Sequence, residues 1–285
     1  MNNTSSHLEP HRRRELELAK RIIIQAVRPE KIILFGVFSS GDETRTYTEQ
    51  VPPYVTTYDL LIVMKEGAGR SDYELQDLVE DRCRGSAQVT ALVYDIGHVN
   101  RRIREGQIFF ASVRRDGILL FDAGRAPLAK PGITDPVQVS LLAESDFDRW
   151  SRQSIAFYRS AEFNLGAGEW KTALFLLHQA VEQIYQAILL VHMGYKPTTH
   201  NLDKLRRHTN RYSPELAMVF PRSPGEEDRL FRLLLSGYVD ARYKDGFDIG
   251  EADARLLTER VGRLLNVSER VCRDHLAVLA KQAAG

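Results

Sequence analysis

Apolar positions recur in two different rhythms along this chain. From Arg12 to Ala26, Leu16, Ala19, Ile22, Ile23 and Ala26 fall on one side of a 3.6-residue period, which predicts a helix. Short, bounded apolar runs then predict strands at about 31–35, 58–64 and 88–94, with a helix at about 71–84 between the last two. Val99 to Arg115 reads as one helix, and Gly117 to Phe121 as a short closing strand. The Tyr, Thr and Val content of residues 42–57 around Pro52-Pro53 predicts two extended arms and a turn. From Val139 onward the rhythm is helical throughout, over roughly 141–166, 169–193, 200–210, 225–241 and 251–279. The expected class is therefore α+β: a small mixed-sheet domain over 1–122, then an all-α bundle over 139–285. Gly124, Pro127, Pro131, Gly132 and Pro136 give residues 123–138 the composition of a linker.

The helix from Trp170 to His192 carries two apolar seams side by side. Leu174, Leu177, Val181, Ile184, Ile188 and Val191 make one; Phe175, His178, Glu182, Tyr185, Leu189 and His192 make the other. A helix apolar on two sides belongs in the middle of a bundle. The run Ala173–Val191 is interrupted by His178, Gln179, Glu182 and Gln183, so a buried helix is expected rather than a membrane span.

Composition narrows the function classes. A length of 285 residues favours two domains, and a net charge of +1 argues against a strongly electrostatic nucleic-acid or membrane binder. The local clusters Arg12-Arg13-Arg14 and Arg101-Arg102-Ile103-Arg104 are either solvated helix faces or anion sites. Cys83 and Cys272 lie far apart and suggest no disulfide framework, and the polar N-terminal segment lacks a signal-peptide core. A cytoplasmic location without membrane contact is the expectation.

Candidate chemistry begins where the first apolar run, Ile32-Ile33-Leu34-Phe35, meets the glycine turn Gly36-Val37-Phe38-Ser39-Ser40-Gly41. The next run, Tyr58-Asp59-Leu60-Leu61-Ile62-Val63, opens with an acid. A Gly/Ser turn lets backbone N–H groups and hydroxyls wrap phosphate, and carboxylates on an adjacent strand hold the Mg²⁺ of a nucleoside triphosphate. At these residues the chain resembles the minimal nucleotidyltransferase family, whose pattern is a Gly-Ser turn, Asp-x-Asp on the next strand and a third Asp on a later one. Here the first acid falls on Thr57, the second on Asp59, and the third on Thr90; Asp95 lies just beyond that strand. The resemblance implies phosphate cradled by Gly36, Ser39, Ser40 and Gly41, with one Mg²⁺ on Asp59. Transfer chemistry is impaired, because one of three carboxylates is present. The working-enzyme alternative is a Mg²⁺-dependent transferase moving a nucleotide onto a hydroxyl, with Asp42, Glu43 or Asp95 reaching the metal.

The helical half carries its own motifs. Leu177-His178-Gln179-Ala180-Val181-Glu182, Thr199-His200-Asn201-Leu202 and Tyr238-Val239-Asp240-Ala241-Arg242-Tyr243 occur in the order that resembles the HEPN family (higher eukaryotes and prokaryotes nucleotide-binding). This resemblance implies a nucleotide-related or RNA-cleaving role, a homodimer through the bundle and a toxin–antitoxin or defence setting. His178, Glu182 and Arg242 are the candidate second nucleotide site. His178 and Glu182, one turn apart, are placed to pair with each other, as an interior pair or as part of a site. His200 is read as a cap or turn residue. Ribonucleolytic members use Arg and His four to six residues apart. Arg242 has no such His, and the single hit is Arg270 to His275 on the last helix. Asp59, Arg242 and His275 are thus the catalytic candidates. The favoured reading is a nucleotide-binding or nucleotide-sensing protein; a non-catalytic scaffold and an RNA-cleaving HEPN dimer are its rivals.

Overall fold

The computed structural model describes residues 9–40, 55–67, 71–197, 199–221, 225–244 and 246–285, with backbone alone at positions 39, 40, 55 and 242. The chain forms two compact units, Met1–Asp135 and Pro136–Gly285. The class is α+β, as the two rhythms predicted.

In the first unit, helix α1 (Pro10–Val27) leads into strand β1 (Lys31–Ser40), followed by β2 (Val55–Met64), α2 (Asp72–Cys83) and β3 (Gln88–Asp95). Helices α3 (Ile96–Arg104) and α4 (Ile108–Asp116) and strand β4 (Ile118–Asp122) complete it. The strands pair in the order β3-β2-β1-β4, parallel between β2 and β3 and antiparallel elsewhere. Alternation sorts their side chains between two faces. Ile32, Leu34, Tyr58, Leu60, Ile62, Val89, Ala91 and Val93 join Leu16, Ala19 and Ile23 of α1 and Leu75 and Val79 of α2 in one core. The opposite face carries Ile33, Asp59, Leu61, Thr90, Leu92 and Tyr94, all buried. Aromatic rings seal that face: Phe35 meets Phe109 edge-on at 5.2 Å, and Tyr94 meets Phe110 at 5.8 Å.

Two expectations are corrected here. The chain does not turn at Gly36. Strand β1 continues to Ser40, with a bulge between Leu34 and Gly36 that absorbs the extra residue. The single helix expected over 99–115 is two, because the chain passes through Gly106 at φ 67°, and a Cβ there would collide with the backbone of Ile133. The division between the units falls within the expected linker, and residues 123–135 are hydrogen-bonded to the first unit. Ala123 N–H donates to Glu30 O (2.8 Å), Ala129 N–H to Asn100 Oδ1 (2.7 Å) and Gly132 N–H to Ile103 O (2.9 Å). The expected arms over 42–57 lie largely outside the described residues.

The second unit is a helical bundle. It comprises α5 (Pro136–Gly166), α6 (Trp170–Met193), α7 (Leu202–Thr209), α8 (Pro214–Val219), α9 (Glu226–Ser236), α10 (Asp240–Tyr243) and α11 (Glu251–Ala284). Helix α6 is its axis, packed by α5, α7, α9 and α11. The first predicted seam is inside throughout and the second except for half-buried Phe175 and His192, and each large apolar side chain so buried contributes about 1.5–3 kcal/mol. By length and composition α6 could cross a membrane, but 78% of its apolar window is buried within the bundle. Ser154 Oγ on α5 donates to Ala180 O on α6 across this interior (2.6 Å).

Candidate functional site

On the sheet, register brings the expected nucleotide residues side by side. Asp59 stands opposite Gly36 on β1 and opposite Thr90 on β3. Thr57, at the first-acid position, pairs with Gln88. Asp59 is 1% exposed, with Thr57 and Thr90 beside it and apolar Leu61 and Leu92 further along the same face. Asp95 does not reach it. It lies five residues along β3 from Thr90, roughly 16 Å at the rise of a strand, and its carboxylate caps α3 by accepting from His98 N–H (2.7 Å). Asp42, Glu43, Gly41 and the hydroxyls of Ser39 and Ser40 lie outside the described residues.

A Mg²⁺ ion bridging phosphates needs several hard oxygen ligands. Among the described residues no three His, Cys, Asp or Glu side chains come together to supply them. One carboxylate flanked by Thr57 and Thr90 does not fit a two-metal transfer centre.

The bundle offers a different arrangement. His178 and Glu182 sit on buried turns of α6, at 2% and 4% exposure. They do not satisfy each other. Glu182 Oε1 instead accepts from His200 Nδ1 at 2.8 Å and from Gln186 Nε2 at 3.3 Å. The local i,i+4 pairing is replaced by a tertiary one, because the chain after α6 returns over its own face before α7. The cap role expected of His200 belongs to Asn201, whose Oδ1 accepts from the N–H groups of Asp203 and Lys204. The Tyr238 ring, just beyond α9, stacks on His178 (5.2 Å between centroids) and lies nearly parallel to His200 (6.3 Å). Lys196 adds a cation: burial lowers its ammonium pKa, and the nearby Glu182 carboxylate raises it. It lies over the Trp150 ring at 4.8 Å.

Within this group, Glu182 Oε2 is the open acceptor. It is buried and accepts no hydrogen bond from the described residues, while Oε1 accepts two. The His200 side chain, 69% exposed, forms the outward end of the dyad. With Nδ1 donating to a carboxylate, its Nε2 is the acceptor that remains for a ligand. Three chain segments thus bring together a buried acceptor, two imidazoles and a phenol ring. Arg242 follows Tyr238 by one helical turn on α10, although its side chain lies outside the described residues. His200, Tyr238 and Lys196 are the site residues that sequence reasoning missed. His200 and Tyr238 did stand in the quoted motifs; Lys196 left no signal.

His275 belongs elsewhere. Its ring packs on His192 (4.3 Å), which stacks on Tyr212 (4.1 Å). His192 is 14 residues along α6 from His178, about 21 Å at the helical rise. Arg270 and His275 line one shallow cavity of about 380 Å³, yet Arg270 is ion-paired to Glu215. At five residues' spacing the two also diverge by about 140° around α11. Burial pushes His192 down to about 3, so it is neutral in the fold.

Residues 147–271 match the HEPN domain. The match lies within the bundle. His178, Glu182, His200, Tyr238 and Arg242 all fall inside the matched span, and His275 falls outside it. No curated protein matches the chain.

Proposed function

We propose that this chain is a nucleotide-binding protein whose ligand is held on the HEPN bundle by Glu182, His200, Tyr238, His178 and Arg242, with efficient nucleotide transfer lost from the sheet domain. The observation that carries this reading is the unsatisfied, buried Glu182 Oε2. A buried carboxylate oxygen without a donor costs stability, and an exocyclic amine, ring N–H or ribose hydroxyl supplies that donor. The aromatic face of Tyr238 and the exposed imidazole of His200 suit a base plane, and Arg242 suits a phosphate. A homodimer through the bundle belongs to the same reading and rests on the sequence resemblance. The toxin–antitoxin or defence setting, and the nucleotidyltransferase ancestry of the sheet domain, rest on sequence resemblance.

The test is calorimetric titration of ATP, GTP, CTP and UTP into the full chain, with and without Mg²⁺, for wild type, Glu182→Gln and Tyr238→Leu. Saturable heat in wild type that is lost or strongly weakened in both variants supports the reading. No heat with any nucleotide, or heat indifferent to both substitutions, removes it and leaves the interaction scaffold.

One observation favours a second reading, RNA cleavage with His200 as general base. A carboxylate on Nδ1 and an exposed remaining nitrogen are the arrangement such a base needs. Single-stranded RNA cleaved by wild type and by His275→Ala, but not by His200→Ala, selects it. Loss in His275→Ala alone returns the role to the last helix.

A further inference from the structure

We propose that a second, separate ligand site lies in the first unit, in the cleft between α3 and residues 126–130. It takes a phosphate monoester whose other end carries hydroxyl or amine donors. The proposal stands independently of the bundle reading.

The cleft encloses about 830 Å³, within the size range of small-molecule sites. Its charges are sorted by position. Toward the C-terminal end of α3 stand Arg101 and Arg104, joined by Lys130 from the facing segment. Toward the N-terminal end stand Glu66 and Asp95. Gly97, Arg101 and Arg104 share one stripe of α3, four and three residues apart. Among the described residues none of the three cations makes a side-chain hydrogen bond or ion pair, although two acids line the same cleft. Neighbouring arginines behave otherwise: Arg102 pairs with Glu105 and Arg115 with Asp116. Cations at a helix C-terminus complement its dipole, which accounts for Arg101 and Arg104 in part. It does not account for Lys130, which lies on no helix.

The wall is also built. Asn100 uses both ends of its amide to fix the facing segment, donating to Pro127 O (3.1 Å) and accepting from Ala129 N–H (2.7 Å). Position 97 is a glycine where a Cβ would collide with Glu66 Oε1, so its absence admits that carboxylate to the acidic end. Two guanidinium groups and an ammonium are the donors that grip a dianionic phosphate. Carboxylates at the far end accept from O–H or N–H groups and repel a second phosphate. That polarity selects a monophosphate with a donor-rich tail, from either a sugar phosphate or a mononucleotide.

The experiment titrates ribose 5-phosphate, AMP and inorganic phosphate into the full chain without divalent cations. Saturable heat is expected with at least one of the two organic phosphates, tighter than with inorganic phosphate, and the tighter of the pair names the source. Arg101→Gln/Arg104→Gln weakens binding by about tenfold or more, the scale of a lost charge-assisted phosphate contact. The Arg101→Lys/Arg104→Lys variant restores part of it. Glu66→Gln weakens the organic ligand and spares inorganic phosphate. Several results overturn the proposal: no saturable heat, equal affinity for inorganic phosphate, or a glutamine double variant that melts earlier with its affinity unchanged. Heat that survives the glutamine double variant and disappears in Tyr238→Leu also overturns it, and assigns the ligand to the bundle.

Discussion

Asp59 and Glu182 are both carboxylates taken almost wholly out of water, at 1% and 4% exposure, yet their surroundings differ in kind. Asp59 sits within a sheet, beside Gly36, Thr57 and Thr90, on a face that also carries Ile33, Leu61 and Leu92. Glu182 meets His200 and Gln186, has Lys196 in electrostatic range, and shares its surroundings with the Tyr238 ring. Burial of an acid therefore does not by itself mark a site. An open buried acceptor does not mark one either; what marks one is the convergence of polar and aromatic groups from several elements. Burying a charge is costly without such partners, and the two carboxylates meet that cost in different ways.

The largest expected effect breaks the comparison at Glu182. Replacing it with Gln removes the charge that orients His200 and the acceptor offered to the ligand. Loss of a hydrogen bond to a charged group is worth about 1.5–3 kcal/mol, or roughly 10–150-fold in nucleotide affinity. Calorimetry on wild type and variant measures it directly. A smaller loss here than at Asp59 would invert the comparison.

That contrast also shows what was legible in the sequence. Strands and long helices were, because burial on one face writes a period of 2 or 3.6 into the chain. Gly36 was misread because a glycine after an apolar run signals a turn, while a bulge at the same place lets the strand continue. The partner of Glu182 was misread because helical spacing reports neighbours on one helix. His200 arrives from a separate segment, 18 residues later, by tertiary folding alone.

A second prediction asks whether other buried polar groups of the bundle are sites or structure. His192 has a folded pKa near 3 against an ordinary value of 6.5, mainly through burial, and His208 is shifted in the same direction. Above pH 6.5 both are neutral, folded or unfolded, and stability does not depend on them. Below 6.5 the unfolded chain takes up protons that the fold refuses, so stability falls as pH drops from 6.5 toward 3. Each group contributes up to about 1.4 kcal/mol per pH unit. Urea unfolding at pH 7.5 and 5.5 should show the loss, and His192→Phe should remove part of the slope without changing nucleotide affinity. An unchanged slope would mean that His192 is protonated within the fold.

On the sheet side, Asp95 is the acid nearest the expected catalytic strand, and its geometry gives it a local task. Asp95→Ala removes the cap on His98 N–H and should cost about 1 kcal/mol in thermal or chemical unfolding. Nucleotide affinity at the bundle should be untouched. A fall in Mg²⁺-dependent nucleotide binding instead would mean that Asp95 serves the Asp59 face after all.

The smallest expected effect is the sharpest. Asp59→Asn keeps the side chain's shape and removes its charge at a position where the described residues assemble no metal site. If the ligand binds the bundle, nucleotide affinity with and without Mg²⁺ should stay within about 0.5 kcal/mol of wild type, the usual reach of a substitution remote from the contact. The same titration series that tests Glu182 carries this control. Mg²⁺-dependent heat that disappears in Asp59→Asn while surviving Glu182→Gln would move the nucleotide from the bundle to the sheet. It would also require a further metal ligand from the segment between β1 and β2, where Asp42 and Glu43 lie. The transferase reading would then return with Asp59 as its first carboxylate, and the difference between the two acids would be one of completed against incomplete ligand sets rather than of site against core.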